Sequence, residues 1–266
     1  MAISLVAMAG CSPVGGGDRT VVGSFYPLAF VADRVAGPDW EVIDLTPPGT
    51  ETHDVELSLE DRTAIQAADV VLYLGDIGFQ PQVEEAVGEA RGRVLPLADF
   101  VAADSAADPH LWLDPRHMGR IAEVVASAIP GASSHALQQD LAELYDRYRS
   151  DLADCRSRVM VVSHEAFGYL ADAFGLEQIG LTGLSPEAEP TVERLGVAGE
   201  ALEDGRATAV FYEAGDEARR IAESVAADFG VPALPLGTLE SEPASGDYLS
   251  VMEDNLDSLR QGLGCR

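Results

Sequence analysis

The stretch Thr20-Val21-Val22-Gly23-Ser24-Phe25, with Pro27 close behind it, decides the fold class. Its apolar and β-branched residues predict a strand buried within a sheet. Pro27 is typical of the first turn of a helix, and Gly37 is where that helix is expected to end. A buried strand followed directly by a helix is the repeating unit of an α/β fold with a parallel sheet.

The same alternation continues along the chain on both sides of a helical middle region. Further strands are predicted at 41–45, 70–74, 94–97, 159–162, 179–181, 209–212 and 231–236, and helices at 58–68, 81–90, 165–174, 191–203, 217–229 and 248–263. Between them, apolar residues recur at helical spacing over 118–129 and again over 137–152. The pattern predicts two α/β lobes, each a mostly parallel sheet flanked by helices and joined by a long linking helix. We expect a tail at 1–18, lobes at 19–117 and 157–266, and the linking region at 118–156.

Composition excludes several classes of protein. The chain carries 17 Lys+Arg against 45 Asp+Glu, a net charge of −28, and contains no lysine. Such an acidic surface repels the phosphates of nucleic acids and of anionic membranes. A hydrophobic content of 47% is that of a globular protein, not of a disordered one. The charge permits a cation as partner and does not identify one.

The N-terminus and the cysteines predict export. Residues 1–10 are apolar or small but too few to cross a bilayer, which takes about 20 residues, so they fit an export signal better. Ala9-Gly10-Cys11 resembles the lipobox of bacterial lipoproteins, in which Cys11 would carry the lipid that anchors the protein to the cell membrane. In an oxidising compartment the remaining pair, Cys155 and Cys265, is expected to form a disulfide.

Three of the five histidines lie at predicted strand ends or in loops. His53 follows the second strand in the stretch Pro47–Asp54, His110 lies within Asp108-Pro-His-Leu-Trp-Leu-Asp-Pro115, and His164 ends the strand at 159–163. In parallel sheets ligands bind beyond the carboxyl ends of the strands, here in the cleft between two lobes. Neutral imidazole suits zinc, so we expect these three histidines to form one metal site. His117 and His135 are assigned no role.

These strings resemble the metal-binding solute-binding proteins of bacterial ABC importers, in particular the zinc-uptake members. The resemblance runs from about Arg19 to Leu263 and is carried by Phe25-Tyr-Pro-Leu28, the His53 loop, the Asp108–Pro115 string and Ser163-His-Glu-Ala-Phe-Gly-Tyr169. It implies two lobes joined by a rigid helix, with Zn²⁺ bound between them by His53, His110 and His164. It also implies a non-enzymatic protein, lipid-anchored outside the cell membrane and monomeric, that delivers zinc to a permease and its ATPase.

The chain departs from that family in the fourth ligand. Leu234 stands where many members carry an aspartate, so we expect water in the fourth position, or a carboxylate such as Glu51 or Glu240. The loop before Asp108 also lacks the histidines common in zinc members.

Other residues of the same strings are candidates for supporting roles. Asp54, Asp108 and Glu165 are adjacent in sequence to the histidines and could orient their rings. Glu187 and Glu189 are expected at the rim of the cleft, and Trp112 and Phe167 in its walls.

Two alternative functions remain open. The first is a manganese or iron carrier of the same family, which His164 disfavours because hard cations prefer oxygen ligands. The second is a zinc hydrolase or hydratase, in which three histidines and water form the catalytic site. No general base or nucleophile motif in the sequence supports the enzyme.

Overall fold

The computed structural model describes residues 19–46, 48, 52–53, 55–101, 108–185, 188–213 and 215–266. The predicted export signal and Cys11 lie outside these residues. Strands and helices alternate along the described chain and form two four-stranded parallel sheets. The predicted class, two α/β lobes flanked by helices, is therefore confirmed. No helix in the described ranges combines the length and the apolar character that a bilayer crossing needs.

The first sheet has the strand order β2-β1-β3-β4. Its strands are β1 Arg19–Gly23, β2 Trp40–Asp44, β3 Val70–Tyr73 and β4 Arg93–Pro96, and its helices are α1 Tyr26–Ala36, α2 Leu59–Ala67 and α3 Pro81–Ala86. Ser58 caps α2: its hydroxyl accepts the backbone N–H of Asp61, and the Asp61 carboxylate accepts that of Ser58. Because the strands are parallel, the loops that follow them gather at one edge of the sheet.

The second sheet repeats this arrangement with the order β6-β5-β7-β8. Its strands are β5 Val159–Val162, β6 Glu177–Gly180, β7 Ala207–Tyr212 and β8 Ala233–Pro235, and its helices are α6 Gly168–Phe174, α7 Val192–Glu203, α8 Asp216–Phe229 and α9 Tyr248–Leu263. Helix α6 begins at Gly168, three residues later than predicted. The backbone N–H of Phe167 donates to the side chain of Gln178 (2.9 Å), which holds residues 164–167 as a turn.

The linking region contains two helices instead of one. Helix α4 spans Pro115–Ala128 and α5 spans His135–Asp151. The break follows from sequence: Pro130 cannot continue a helix, and Gly131 adopts a positive φ of 84°. Helix α5 then leads into β5 of the second lobe.

The two lobes share one hydrophobic core. A single cluster of buried side chains includes residues from both sheets and from α1, α4, α5 and α9. Two buried tyrosines link its parts: the Tyr148 hydroxyl donates to the carbonyl of Met252 (2.6 Å), and the Tyr248 hydroxyl donates to that of Trp112 (2.6 Å). Smaller clusters lie on the outer face of each sheet. Because the inner core is continuous, the lobes pack as one body.

Cys155 and Cys265 are joined by a disulfide, as the sequence predicts. It ties the segment before β5 to the residues that follow α9. Neighbouring backbone bonds support the junction, from Ser157 N–H to Leu263 O (3.0 Å) and from Arg266 N–H to Asp154 O (3.1 Å).

Candidate metal centre

His110 is fully buried and lies beside His164 and Glu240 of the second lobe. It begins the short 3₁₀ turn Leu111–Leu113, where Asp108 fixes it twice. One carboxylate oxygen of Asp108 accepts the backbone N–H of His110 (3.0 Å) and lies 2.8 Å from its Nδ1. The Trp112 ring packs 5.1 Å from the imidazole, centroid to centroid. With Nδ1 bound to Asp108, the ring presents Nε2 to the cleft.

His164 is held in the same way from the second lobe. It lies just beyond the carboxyl end of β5 and is also buried. Its Nδ1 lies 2.9 Å from Oε1 of Glu213, which follows β7, the parallel neighbour of β5. Nε2 therefore faces the cleft here too.

His53 completes the trio from the loop after β2. Its ring packs edge-on against Phe79 at 4.7 Å and lies 5.7 Å from the His110 ring, while the His110 and His164 rings are 5.3 Å apart. Its side chain is 18% exposed, against 0% for His110 and 1% for His164. The structure therefore brings the three predicted histidines together, with His53 on the solvent side.

Glu240 lies between the three imidazoles. It belongs to the loop between β8 and α9 and is buried. One carboxylate oxygen is 3.3 Å from Nε2 of His110 and 3.7 Å from Nε2 of His164, and the other is 3.7 Å from Nε2 of His53. The carboxylate of Glu240, expected as an alternative to water in the fourth position, thus lies among the three imidazoles. Glu51, the other carboxylate candidate, lies outside the described residues.

The charges of these groups are strongly coupled. Burial lowers the pKa of His164, but contacts with Glu213 and Glu240 outweigh it and raise that pKa to about 9. The pKa of His110 is raised in the same way. Burial lowers it, but the contacts with Asp108 and Glu240 raise it by more. Burial would raise the pKa of Glu240, but the three imidazoles hold it well below its usual value. The carboxylates around these histidines therefore favour positive charge at the site.

The buried donor atoms at the centre are suited to a metal ion. Among the described residues, Nε2 of His110, Nε2 of His164 and Oε1 of Glu240 are buried and form no hydrogen bond. Buried polar atoms in native proteins normally have partners, and a cation at this point would satisfy all three. Three imidazole nitrogens and one carboxylate oxygen are a donor set typical of zinc, whereas manganese prefers more oxygen.

The supporting residues were predicted less completely than the histidines. Asp108 does orient His110, but Glu165 pairs instead with Arg194 (2.7 Å), and Asp54 lies outside the described residues. Sequence reasoning missed Glu213. The available signal was its place directly after β7, since a strand adjacent to the one bearing His164 ends at the same edge of the sheet.

The remaining candidates are peripheral. Trp112 and Phe167 are buried in the shared core, and the Trp112 ring packs beside His110. Leu234 is buried in β8, Glu189 is exposed, and Glu187 lies outside the described residues. The His117 ring packs on Tyr169 at 5.2 Å, away from the other histidines.

The chain is similar in sequence to proteins of zinc uptake. Residues 21–262 match the protein family described as zinc-uptake complex component A periplasmic. The chain is 28% identical over 289 residues to the zinc-binding protein AdcA of Streptococcus pyogenes serotype M1, a match that covers 92% of this chain and 56% of that protein. It is 26% identical over 303 residues to the high-affinity zinc uptake system protein ZnuA of Bacillus subtilis strain 168, covering 97% of this chain and 94% of the relative.

A solved structure shares the fold. The Zn(II)-bound ZnuA-like domain of Streptococcus pneumoniae AdcA superposes with a TM-score of 0.77 at 27% identity, over 93% of this chain and 99% of that domain. The chain thus spans about half the length of the AdcA relatives. The predicted resemblance to zinc-uptake solute-binding proteins is confirmed.

Proposed function

Since the chain belongs to the family of zinc-uptake complex component A periplasmic proteins, we propose that it captures Zn²⁺ outside the cytoplasm and delivers it to an ABC-type importer. The observation that carries this proposal is that the Nε2 atoms of His53, His110 and His164 each lie within 3.7 Å of the Glu240 carboxylate. Two groups able to hold a metal ion, His53-His110-Glu240 and His164-Glu213-Glu240, share that carboxylate. We assign the three histidines and Glu240 as the zinc ligands. Glu240 supplies one negative charge that three neutral imidazoles lack.

Capture and release pass through the side of the site that bears His53. His110 and His164 are enclosed by the shared core and held by Asp108 and Glu213, whereas His53 is partly open to solvent. An incoming zinc ion therefore contacts His53 before the other ligands. A departing ion contacts His53 last. No covalent bond is made or broken in this cycle.

The partners follow from the same role. The zinc-loaded protein docks on a membrane permease driven by an ATPase, and a lipid on Cys11 keeps it near the membrane. We expect it to act as a monomer.

The donor set separates this function from the two alternatives. A catalytic zinc site keeps a coordination position open for water, whereas the Glu240 carboxylate lies beside all three histidines and can serve as the fourth ligand. A manganese or iron carrier would need harder donors than three imidazoles. We therefore favour a zinc carrier over both a hydrolase and a carrier of hard cations.

A competitive titration of the purified chain tests the proposal. We expect one Zn²⁺ to bind tightly per chain, and Mn²⁺ in large excess to displace little of it. A chromophoric chelator that reports free zinc measures the competition. Tighter binding of Mn²⁺ than of Zn²⁺ would contradict the assignment, and robust ester hydrolysis or CO₂ hydration by the zinc-loaded protein would contradict a carrier without enzymatic activity.

Zinc binding should release protons at neutral pH. Because the pKa of His164 is raised to about 9 by Glu213 and Glu240, the metal-free site holds a proton there at pH 7.5. Zinc needs the neutral imidazole, so affinity should rise as pH increases toward 9. Below pH 9, the affinity for zinc should fall about tenfold per pH unit for each proton that zinc displaces. Calorimetry in buffers of different ionisation enthalpy counts these protons.

Glu213→Gln provides the matched control for this prediction. Glutamine keeps an oxygen near Nδ1 of His164 but removes the charge that raises its pKa. The pH below which zinc affinity declines should therefore shift downward in the variant. A proton count of zero for the unmodified protein at pH 7.5 would contradict the prediction.

A further inference from the structure

The loop that carries Glu240 adopts a backbone conformation that requires support. Leu239 has a φ of 60°, a left-handed conformation found for no other non-glycine residue in the described ranges. Such a conformation is unfavourable for a non-glycine residue and persists only where the surroundings impose it. Part of that support comes from the second lobe, where the Asn255 side chain bonds both Gly237 N–H (2.7 Å) and Gly237 O (2.8 Å).

The other support comes from the first lobe. Nε1 of Trp112 donates to the carbonyl of Thr238 (2.7 Å), and the hydroxyl of Thr52 donates to the carbonyl of Glu240 itself (2.8 Å). These two bonds lie on either side of Leu239. The strained residue is therefore held between two attachments to the opposite lobe.

Thr52 also belongs to the loop that carries His53. It is completely buried, although its hydroxyl is polar. Its carbonyl lies 3.5 Å from Nε2 of Gln80, which also donates to the carbonyl of Ser24 (3.0 Å) at the end of β1. Thr52 thus connects the first lobe, the backbone next to His53 and the backbone of Glu240.

We propose that Thr52 is a positioning residue for zinc: its hydroxyl fastens the Glu240 loop to the His53 loop and thereby slows release of the bound ion. The inference rests on the proposed function and adds a residue that does not touch the metal. Without the hydroxyl, the buried carbonyl of Glu240 loses its donor, and a buried unpaired carbonyl is unfavourable. Leu239 can then relax, and the carboxylate moves away from the three Nε2 atoms.

Thr52→Val is the direct test, because valine keeps the shape and removes only the hydroxyl. In the zinc-loaded full chain, we expect release of Zn²⁺ to excess chelator to become roughly 10–100 times faster, the range typical of losing an outer-shell partner. With Co²⁺ in place of Zn²⁺, the visible absorption should change as the carboxylate leaves. Thr52→Ser retains the hydroxyl and should restore both the slow release and the spectrum.

Thr46→Val is the matched control for loss of a buried hydroxyl. Thr46 is also fully buried, and its hydroxyl donates to the carbonyl of Ser24 (3.1 Å) within the first lobe only. The variant should lose thermal stability in the metal-free state but keep the release rate and the Co²⁺ spectrum of the unmodified chain.

The outcomes separate the inference from the function. Tight zinc binding by the unmodified chain with equal release rates for Thr52→Val and Thr46→Val would overturn the inference alone. Failure of Thr52→Ser to restore slow release would also overturn it. Absence of tight zinc binding in the unmodified chain would overturn the proposed function and the inference together.

Discussion

Replacing His110 with alanine should remove tight zinc binding altogether. His110 is the most enclosed of the four donors, with no exposed side-chain surface, and its Nε2 makes the shortest contact with Glu240, at 3.3 Å. Its loss deletes a metal ligand and leaves the Glu240 carboxylate with one fewer imidazole to balance its charge. We expect a loss of affinity larger than the roughly 10–100-fold that removal of an outer-shell partner causes.

Thermal unfolding gives a second measure of the same change. A ligand that binds only the folded state stabilises it by about 2.7 kcal/mol when its concentration is 100 times its Kd. Zinc should therefore raise the Tm of the unmodified chain and leave that of His110→Ala nearly unchanged. The metal-free Tm of the variant shows whether the substitution has also damaged the fold.

His117→Ala is the control for this substitution. His117 lies on α4, seven residues after His110, and its ring packs on Tyr169 instead of facing the other histidines. The variant should bind zinc as the unmodified chain does. Similar affinities for His110→Ala and His117→Ala would refute the ligand assignment.

The fold was predictable because each element has a local signal. Buried strands appear as short apolar runs, and turn and cap residues such as Pro27 and Ser58 mark the helix starts. The start of α6 was misplaced because its determinant is distant in sequence. The side chain of Gln178, eleven residues further along the chain, accepts the backbone N–H of Phe167, the residue directly before the helix.

In the candidate site, too, residues marked by a local sequence string were predictable, and residues brought in by contacts distant in sequence were not. His110 and His164 stand in strings specific enough to mark them, and Asp108 is only two residues from His110. Glu213 and Glu240 are 49 and 76 residues beyond His164, so only the packing of strands and loops brings them to it. The sequence predicts where the parallel strands end. It does not predict which loop carboxylate points toward the histidines, because contacts such as that between Thr52 and Glu240 decide this.

The acidic composition has little part in holding the metal. Within the described part of the chain, the carboxylates paired with the three site histidines are Asp108, Glu213 and Glu240, a small part of the 45 acidic residues. Most of the others are solvated and contribute solubility and a weak attraction for cations. In the proposed site we expect selectivity for zinc to come from the imidazoles, which are counted as neutral in the net charge.

Removing the disulfide should cause the largest loss of stability away from the site. Cys155 and Cys265 enclose 110 residues of sequence, which include the second sheet and α9. A cross-link that closes a loop of that size greatly lowers the conformational entropy of the unfolded chain. The chain-entropy model puts the resulting stabilisation of the folded state at about 4–5 kcal/mol at most. For a protein of this size, the double variant Cys155→Ser/Cys265→Ser should unfold about 10 °C lower than the unmodified chain.

Zinc binding should survive that change, because the bridge lies at the opposite end of the second lobe from the site. The disulfide precedes β5, whereas His164 follows the carboxyl end of the same strand. The backbone bond from Ser157 N–H to Leu263 O, together with the packing of α9, still holds the C-terminal helix in place. Unfolding of the unmodified chain in reductant should reproduce the Tm of the double variant. An equal Tm with and without the disulfide would show that the shared core alone fixes the second lobe.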